Sequence, residues 1–195
     1  MSNLKFEHLP NEVILKVLSY LKIEEIVRCH QVSKRIKSIC HDESLWKNIN
    51  LHLCDFVPAI LLQLVLNNGC KYLSLNCSTV VGKLSLKKSS QLIYLDLTKL
   101  TATYKVKERL LASCHSLEKV SLINNTLNKK MVNSIFNQNG KTLQILNLSR
   151  CSGVNLGSIQ SCVNLVELNL EKINQNISVN HLAHQLSTKV ATGYK

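Results

Sequence analysis

Hydrophobic and polar positions in the first fifty residues follow the spacing of short helices. One apolar stripe occupies the i, i+3, i+4 and i+7 positions of a single helix face, and it consists of Ile14, Val17, Leu18 and Leu21. Pro10 and Glu12 suit the start of this helix, because proline needs no N–H partner there and an acidic side chain favours the positive helix end. Further apolar side chains lie outside the stripe: Val13, Leu15 and Tyr20. The pattern therefore predicts a helix that needs apolar neighbours on two sides.

Two more short helices are predicted after the first. The second is marked by Ile23, Ile26 and Val27, and the third by Val32, Ile36 and Ile39. Ser33 is a suitable N-cap for the third helix, and a final turn then places Leu45 and Trp46. Roughly forty residues in three short helices bury only a marginal core, and domains of that size usually need a metal, disulfides or a partner. Because metal-ligand spacing is lacking, we expect a partner protein to cover the apolar surface.

Behind the helices the sequence repeats itself. The pattern Leu-x-x-Leu-x-Leu, with close variants, starts at residues 92, 117, 143 and 165, after a degenerate copy that starts at Cys70. Successive starts are 22 to 26 residues apart, which is the period of leucine-rich repeats with one strand and one helix per unit. The segments 105–113 and 128–137 carry helical stripes, and further helices are predicted at residues 56–65 and from Val179.

Two details concern the turns of these repeats. The ninth repeat position is occupied, in chain order, by Ser78, Leu100, Asn125, Cys151 and Ile173. A small polar side chain at that position can bond the backbone of the turn, so the series of such bonds is expected to be incomplete. Gly140 is predicted to stop the helix before it, and residues 81–86 are predicted to form an irregular turn with little helix.

The helical segment resembles an F-box, the module by which substrate adaptors dock on the Skp linker of cullin–RING ubiquitin ligases. The resemblance covers residues 6–51 and is carried by Phe6, Leu9, Pro10, Glu12, Ile14, Leu18, Leu21, Val32, Lys34, Arg35, Leu45 and Trp46. The sequence departs from the pattern at Ser33 and Ile36, where a cysteine and an aromatic residue are frequent. The resemblance implies that the linker is bound by Phe6, Leu9, Pro10, Ile14, Leu18, Leu21, Leu45 and Trp46.

The apolar residues of this segment have two interpretations. Some form the core of an ordinary helical subdomain, which we expect of Ile26, Val27, Ile39 and Trp46. Others lack cover within so small a subdomain and form an exposed docking edge, which we expect of Leu9, Pro10, Ile14 and Leu18.

An F-box followed by such repeats resembles the leucine-rich class of F-box proteins, with the S-phase-kinase-associated adaptor as the nearest likeness. The strings that carry this likeness are residues 42–46, 146–153 and 165–170. The resemblance implies an α/β fold, with a three-helix F-box followed by a short leucine-rich-repeat solenoid that has parallel strands on its concave face and helices on its convex face. The predicted boundaries are a tail at 1–5, the F-box at 6–51, about five repeats at 52–187 and a tail at 188–195.

The function implied by the resemblance is that of a substrate adaptor in an SCF (Skp–cullin–F-box) E3 ubiquitin ligase, whose repeats bind a target, cell-cycle related by the same likeness, for ubiquitination and proteasomal degradation. We expect no enzyme activity, metal or cofactor, because the sequence contains no catalytic constellation and no Gly-rich phosphate loop. Eight scattered cysteines without Cys-x-x-Cys indicate free thiols in a reducing compartment, and we expect the nucleus and cytoplasm. No apolar run reaches the length of a membrane span.

Positive charge is concentrated in the repeats. Residues 1–50 carry a net charge of +2 and residues 51–195 a net charge of +10. A basic solenoid implies an acidic or phosphorylated protein substrate. The basic clusters at 87–88, 105–109 and 129–130 are solvated outer-face charges in the simpler interpretation. Side chains just after a strand reach the concave rim, and these are the candidate substrate contacts Lys99, Asn124, Arg150 and Lys172.

Two other functions stay open at this point. The chain stops soon after the fifth repeat, with little room for a polar cap, so it is expected to be a truncated form that binds the linker, recruits nothing and competes with complete adaptors. Nucleic-acid binding through the basic repeats would require aromatic side chains interleaved with Lys and Arg. The chain has five Tyr, three Phe and one Trp, and few of them lie near the basic clusters.

Overall fold

Short helices begin the molecule. The computed structural model describes residues 6–173 and 189–191. A 3-10 turn at Phe6–His8 precedes three helices, α1 (Asn11–Leu18), α2 (Ile23–Cys29) and α3 (Lys34–Cys40), and a second 3-10 turn follows at Glu43–Leu45. α3 packs against both α1 and α2, so it lies at the centre of the bundle. Residues 6–46 are called the helical head below.

Local sequence explains where the head helices begin. Pro10 lies one position before α1 with φ −56°, which directs the chain into the helix. Before α2, the backbone N–H of Lys22 donates to the carboxylate of Glu25 at 2.7 Å. Before α3, the hydroxyl of Ser33 accepts the N–H of Ile36 at 3.1 Å, which confirms Ser33 as the N-cap. Each bond satisfies a donor that a free helix end would leave without a partner.

A parallel sheet follows the head. The strands of the described residues are β1 (Asn48–Asn50), β2 (Val57–Pro58), β3 (Tyr72–Ser74), β4 (Val80–Val81), β5 (Tyr94–Asp96), β6 (Lys119–Ser121), β7 (Ile145–Asn147), β8 (Glu167–Asn169) and β9 (Lys189–Ala191). Seven of them form one sheet in the order β1-β3-β5-β6-β7-β8-β9, and each neighbouring pair is parallel. β2 and β4 pair separately, also in parallel. The molecule is therefore built from consecutive units laid side by side.

Helices connect several of these strands. They are α4 (Ala59–Asn67), α5 (Tyr104–Ala112) and α6 (Lys129–Asn139), and a 3-10 turn at Ile159–Ser161 connects β7 to β8. The helices predicted at 105–113 and 128–137 are confirmed by α5 and α6. The helix predicted at 56–65 begins only at Ala59, and Phe56 is exposed before it. Between β3 and β5 the chain forms β4 and no helix.

The core of the sheet is a stack of apolar layers. The middle residues of neighbouring strands face each other in register and are buried, and in sheet order they are Ile49, Leu73, Leu95, Val120, Leu146 and Leu168. The leucines two positions later are buried in the same way: Leu51, Leu75, Leu97, Leu122, Leu148 and Leu170. The strands predicted at the repeated motifs are thus confirmed. Each buried side chain of this kind stabilises the fold by about 1.5–3 kcal/mol.

The structure differs from the predicted boundaries in three places. β1 lies within the segment assigned to the F-box, because Ile49 pairs with Leu73 and extends the sheet to the head. Residues 189–191, predicted as tail, form β9 beside β8. The turn predicted as irregular at residues 81–86 begins in β4. The helix predicted from Val179 lies outside the described residues.

Gly140 ends α6 for a different reason from the one predicted. Its φ is −57°, an ordinary helical value, so the position does not need the left-handed freedom of glycine. A β-carbon at Gly140 would instead overlap the backbone oxygen of Ser161 and lie 2.7 Å from that of Phe136. The 3-10 turn before β8 approaches the end of α6 so closely that only glycine fits.

Candidate functional site

Two apolar stripes run along α1, and the fold covers only one of them. Ile14 and Leu18 are buried in the core. Val13 and Val17 are each 43% exposed, and Tyr20, just after the helix, is 76% exposed. These three residues are spaced i, i+4 and i+7, so they share one face of the helix. An apolar face of α1 is therefore left in contact with solvent.

The head exposes more apolar surface near the start of α1. Phe6 is 49% exposed in the first 3-10 turn, and Val32 is 72% exposed just before α3. We call Phe6, Val13, Val17, Tyr20 and Val32 the exposed head surface. Single apolar side chains are common on protein surfaces, but five on so small a bundle mark a site for another molecule.

The residues predicted to bind the linker fall into three groups in the structure. Phe6 and Pro10 are exposed, whereas Leu9 and Leu21 are half-buried against the core. The remaining four are buried: Ile14, Leu18, Leu45 and Trp46. The expectation that Ile14 and Leu18 form an exposed edge is wrong, because α3 packs against α1 and that stripe enters the core. The expected core position of Trp46 is confirmed, as are those of Ile26 and Ile39, while Val27 is half-buried.

Spacing along the sequence did not reveal the exposed stripe, because both stripes have the same period. The missed residues of the exposed head surface are Val13, Val17, Tyr20 and Val32. One signal was present in the sequence: α1 is apolar over more than half of its circumference, which requires cover on two sides. The described residues provide cover on one side.

A hydrogen bond and two rings hold the end of the head together. The indole Nε1 of Trp46 donates to the carbonyl of Cys40 at 2.6 Å. The ring of His30 lies edge-on to Trp46, with 6.1 Å between centroids, and 4.8 Å from the ring of His41. Burial, followed by the neighbouring charge of His41, lowers the pKa of His30. The head therefore contains a histidine that the fold keeps neutral.

The four residues predicted to contact a substrate occupy equivalent positions at the ends of successive strands. Lys99, Asn124, Arg150 and Lys172 have positive φ values of 52°, 57°, 56° and 56°, and all four side chains are exposed. The backbone N–H groups of the first three donate to carbonyls of the following unit, those of Ile123, Ser149 and Glu171, at 2.9, 3.0 and 2.8 Å. We call Lys99, Asn124, Arg150 and Lys172 the rim column. The structure places them in one row along one edge of the sheet, as predicted.

A short side chain at the end of most strands sets up this turn. Asp96, Asn147 and Asn169 each accept the backbone N–H two residues later, at 2.9, 3.0 and 2.9 Å. Such Asx turns stabilise the tight bend before a left-handed residue. Sequence reasoning missed these caps, although the alternation Leu-Asn-Leu in two copies was the signal that could have found them.

The polar residues of the ninth repeat position bond the backbone as expected. The hydroxyl of Ser78 donates to the carbonyl of Leu51, and the thiol of Cys151 donates to that of Leu122 at 2.8 Å. The amide of Asn125 donates to the carbonyls of Leu97 and Leu122 at 2.7 and 3.0 Å. In the other copies Leu100 and Ile173 are buried. These bonds connect each turn to the preceding unit.

Lys107 was predicted within a solvated basic cluster, and this is wrong. Its side chain is buried, and its ammonium donates to Oδ1 of Asn125 at 2.6 Å. Burial lowers the pKa of Lys107. The amide of Asn125 thus satisfies an ammonium on one side and backbone carbonyls on the other, which makes it a structural centre between α5 and the strand turns.

The thiols of the chain are not activated as nucleophiles. All eight cysteines are free. Burial raises the pKa of Cys70 to about 12 and the pKa values of Cys40, Cys114 and Cys162 to about 11. Within the described residues, no three metal-ligating side chains come close enough to hold an ion. The helices described are all too short or too polar to span a bilayer.

Comparison with known proteins places the helical head in a family. Residues 6–52 match the F-box-like family. F-box only protein 36 of Pongo abelii is 31% identical over 67 residues, which cover 34% of this chain and 36% of that protein. Its Mus musculus counterpart is 26% identical over 85 residues, 44% of this chain and 45% of that protein. F-box/LRR-repeat protein 5 of Mus musculus is 45% identical over 42 residues, 22% of this chain and 6% of that protein.

These matches define the helical head as an F-box-like domain, and they support a place for the chain among F-box proteins. The matched segments span less than half the length of each of these curated relatives. The matched family region ends at residue 52, directly after β1. It therefore contains the whole exposed head surface.

Proposed function

We propose that the chain is a substrate-recognition adaptor of an SCF-type ubiquitin ligase, and that its exposed head surface docks on the Skp linker. The observation that carries the proposal is the uncovered stripe of Val13, Val17 and Tyr20 within an F-box-like domain. Burying such a stripe in a partner removes apolar area from water, which favours association by roughly 25 cal/mol for each Å². Val13 and Val17 project from a helix, so a groove on the partner would receive them at fixed spacing.

The repeated units would hold the target. We infer that the consecutive parallel strands, with buried leucines at a period of 22 to 26 residues, are leucine-rich repeats. The rim column supports target binding, since it aligns the exposed cations of Lys99, Arg150 and Lys172 along one edge. Such a row suits an acidic or phosphorylated protein segment.

The adaptor contributes proximity rather than chemistry in this proposal. A linker bound at the head and a target bound at the repeats would be held in one assembly, which raises the effective concentration of a target lysine near activated ubiquitin. The likeness of residues 146–153 and 165–170 to a cell-cycle adaptor extends the proposal to cell-cycle targets in the nucleus and cytoplasm.

The docking step is tested by placing charge on the exposed head surface. The double variant Val13→Asp/Val17→Asp must desolvate two carboxylates to bind, and a penalty of about 2 kcal/mol corresponds to a loss of roughly 30-fold in linker affinity. The matched control is Val163→Asp/Val166→Asp, because these valines are also exposed but lie beside the distant strand β8. Titration calorimetry with the purified linker gives both affinities, and circular dichroism confirms folding. Unchanged affinity in the folded head variant would overturn the proposal.

The target step needs a separate measurement. In a reconstituted ligase, Arg150→Glu should reduce ubiquitination of an acidic or phosphorylated target and leave linker affinity unchanged, because Arg150 lies in the rim column and far along the sheet from the head. Linker binding without ubiquitination of any bound protein would instead assign the competing function, a chain that occupies the linker and recruits nothing.

A further inference from the structure

A basic recess lies where the connection between β3 and β5 lacks a helix. The recess encloses about 460 Å³ between residues 85–89 and the end of α5. Its polar lining consists of Ser85, Lys87, Lys88, Ser89, Arg109 and Ser113. In the neighbouring connections α4 and α5 occupy the corresponding stretch of chain. The recess therefore follows from the irregular segment itself.

Two bonds to α5 give this segment a defined shape. Arg109 donates from Nη1 to the carbonyl of Leu84 at 2.6 Å, and the Leu84 side chain is fully buried. Six residues later, the backbone N–H of Ser90 donates to the carbonyl of Ser113 at 2.8 Å. Arg109 and Ser113 are separated by about one helical turn, or about 6 Å of rise. The segment is thus held at both ends and bows away from α5 between them.

The recess concentrates positive charge that the fold does not neutralise. A smaller recess of about 360 Å³ shares Arg109 and adds Lys83 and Lys105. The side chains of all five cations, Lys83, Lys87, Lys88, Lys105 and Arg109, are exposed. Among the described residues, none of these five forms a salt bridge with a carboxylate, and Arg109 bonds a neutral carbonyl. Like charges at such density favour an anionic ligand.

The end of α5 does not oppose an anion here, because its last carbonyls already have donors. The carbonyl of Leu110 accepts from the Ser113 hydroxyl at 2.7 Å and from the Cys114 thiol at 3.2 Å. The carbonyl of Ser113 accepts from Ser90. The negative end of the helix dipole is carried by such carbonyls, so these bonds weaken its effect.

We propose that this recess binds a phosphorylated segment of a partner protein. Hydroxyl groups of Ser85 and Ser89 beside lysine ammonium groups and a guanidinium match the acceptor oxygens and the near −2 charge of a phosphoserine. The recess is short and bounded at both ends, and its lining contains no aromatic side chain. A nucleic acid would need an extended basic track with stacking residues, so the geometry favours a phosphopeptide.

This site is separate from the exposed head surface and from the rim column. It lies beside α5, whereas the head surface lies on and next to α1 and the rim column follows the strand ends. The inference therefore does not depend on linker docking. A failure here would leave linker affinity unchanged, so the two proposals fail in different measurements.

The test uses the full chain and a peptide library with a fixed phosphoserine and random flanking positions. Fluorescence anisotropy at physiological salt compares this library with the same library carrying serine and with a single-stranded oligonucleotide of equal charge. Lys87→Glu/Lys88→Glu should weaken phosphopeptide binding by about tenfold or more. The matched control is Lys129→Glu/Lys130→Glu, an exposed lysine pair on α6, which should change the affinity by less than about twofold.

Several outcomes would overturn the proposal. Equal losses in both variants would show a general charge effect, and tighter binding of the oligonucleotide would assign a nucleic-acid site. Equal binding of the serine and phosphoserine libraries would also count against it. If charge reversal unfolds the chain, Lys87→Gln/Lys88→Gln applies the same test without new negative charge.

Discussion

Arg35 on α3 holds the first residue of α1, Asn11, in a forked hydrogen bond. Nε and Nη2 of Arg35 donate to Oδ1 of Asn11 at 2.9 and 2.7 Å, and Nη2 also donates to the carbonyl of Leu9 at 2.6 Å. These bonds lie on both sides of Pro10, which has no N–H of its own. They fix the start of α1 relative to α3, and with it the direction in which Val13 and Val17 face.

Removing either partner of this fork should loosen the head. Arg35→Met and Asn11→Ala should each lower the free energy of unfolding by about 1 kcal/mol, and the double variant should lose less than the sum, because the same bonds are removed twice. Urea unfolding of the four proteins gives the coupling energy. Arg35→Lys is an informative control, since lysine keeps the charge but cannot form the fork. Fully additive losses would contradict the arrangement.

Gly140 should not tolerate a side chain. Gly140→Ala places a β-carbon against the backbone oxygens of Ser161 and Phe136, so we expect a loss of about 1–3 kcal/mol in the free energy of unfolding. Gly157→Ala is the matched control, because its β-carbon would meet only the side chain of Asn155, at 3.1 Å. Thermal unfolding of both variants separates the two cases. Similar melting temperatures would show that the contact between α6 and the following turn is looser than described.

The stability of the head should fall in acid because of His30. Burial and the charges of His41 and Lys37 hold the pKa of His30 below the ordinary value of 6.5, although the carbonyl of Cys40 acts in the opposite direction. The unfolded chain therefore takes up a proton near pH 6.5 while the folded head does not, so the free energy of unfolding decreases as the pH falls below that value. His30→Gln should reduce this slope.

The measurement is the melting temperature between about pH 7.5 and about pH 5. His115→Gln serves as the control, because His115 is exposed at the end of α5, away from the head. An acid slope that survives in His30→Gln and disappears in His115→Gln would assign the titration to another part of the molecule.

Several elements followed directly from local sequence. The strands at the repeated leucines, the helices α5 and α6 and the N-cap at Ser33 depend on periodicity and short-range hydrogen bonds, which are visible in a single stretch of chain. The position of the rim column followed for the same reason, since each member comes directly after a strand.

Other features depended on residues distant in the sequence. β1 forms because Ile49 pairs with Leu73, and nothing in residues 48–50 alone predicts a strand. Lys107 belongs to a run of cations, yet its ammonium is buried against Asn125 from the next unit. The reason that glycine occupies position 140 is the oxygen of Ser161, twenty-one residues later.

The sequence by itself determined that α1 has more apolar surface than a small bundle can cover, and that strands recur at 22 to 26 residues. These conclusions need only the periods of helix and strand, which every residue carries locally. Only the tertiary structure decided which stripe of α1 stays in solvent. Ile14 and Leu18 are buried and Val13 and Val17 are exposed because α3 packs on one side of the helix, and the placement of α3 depends on the bond between Arg35 and Asn11.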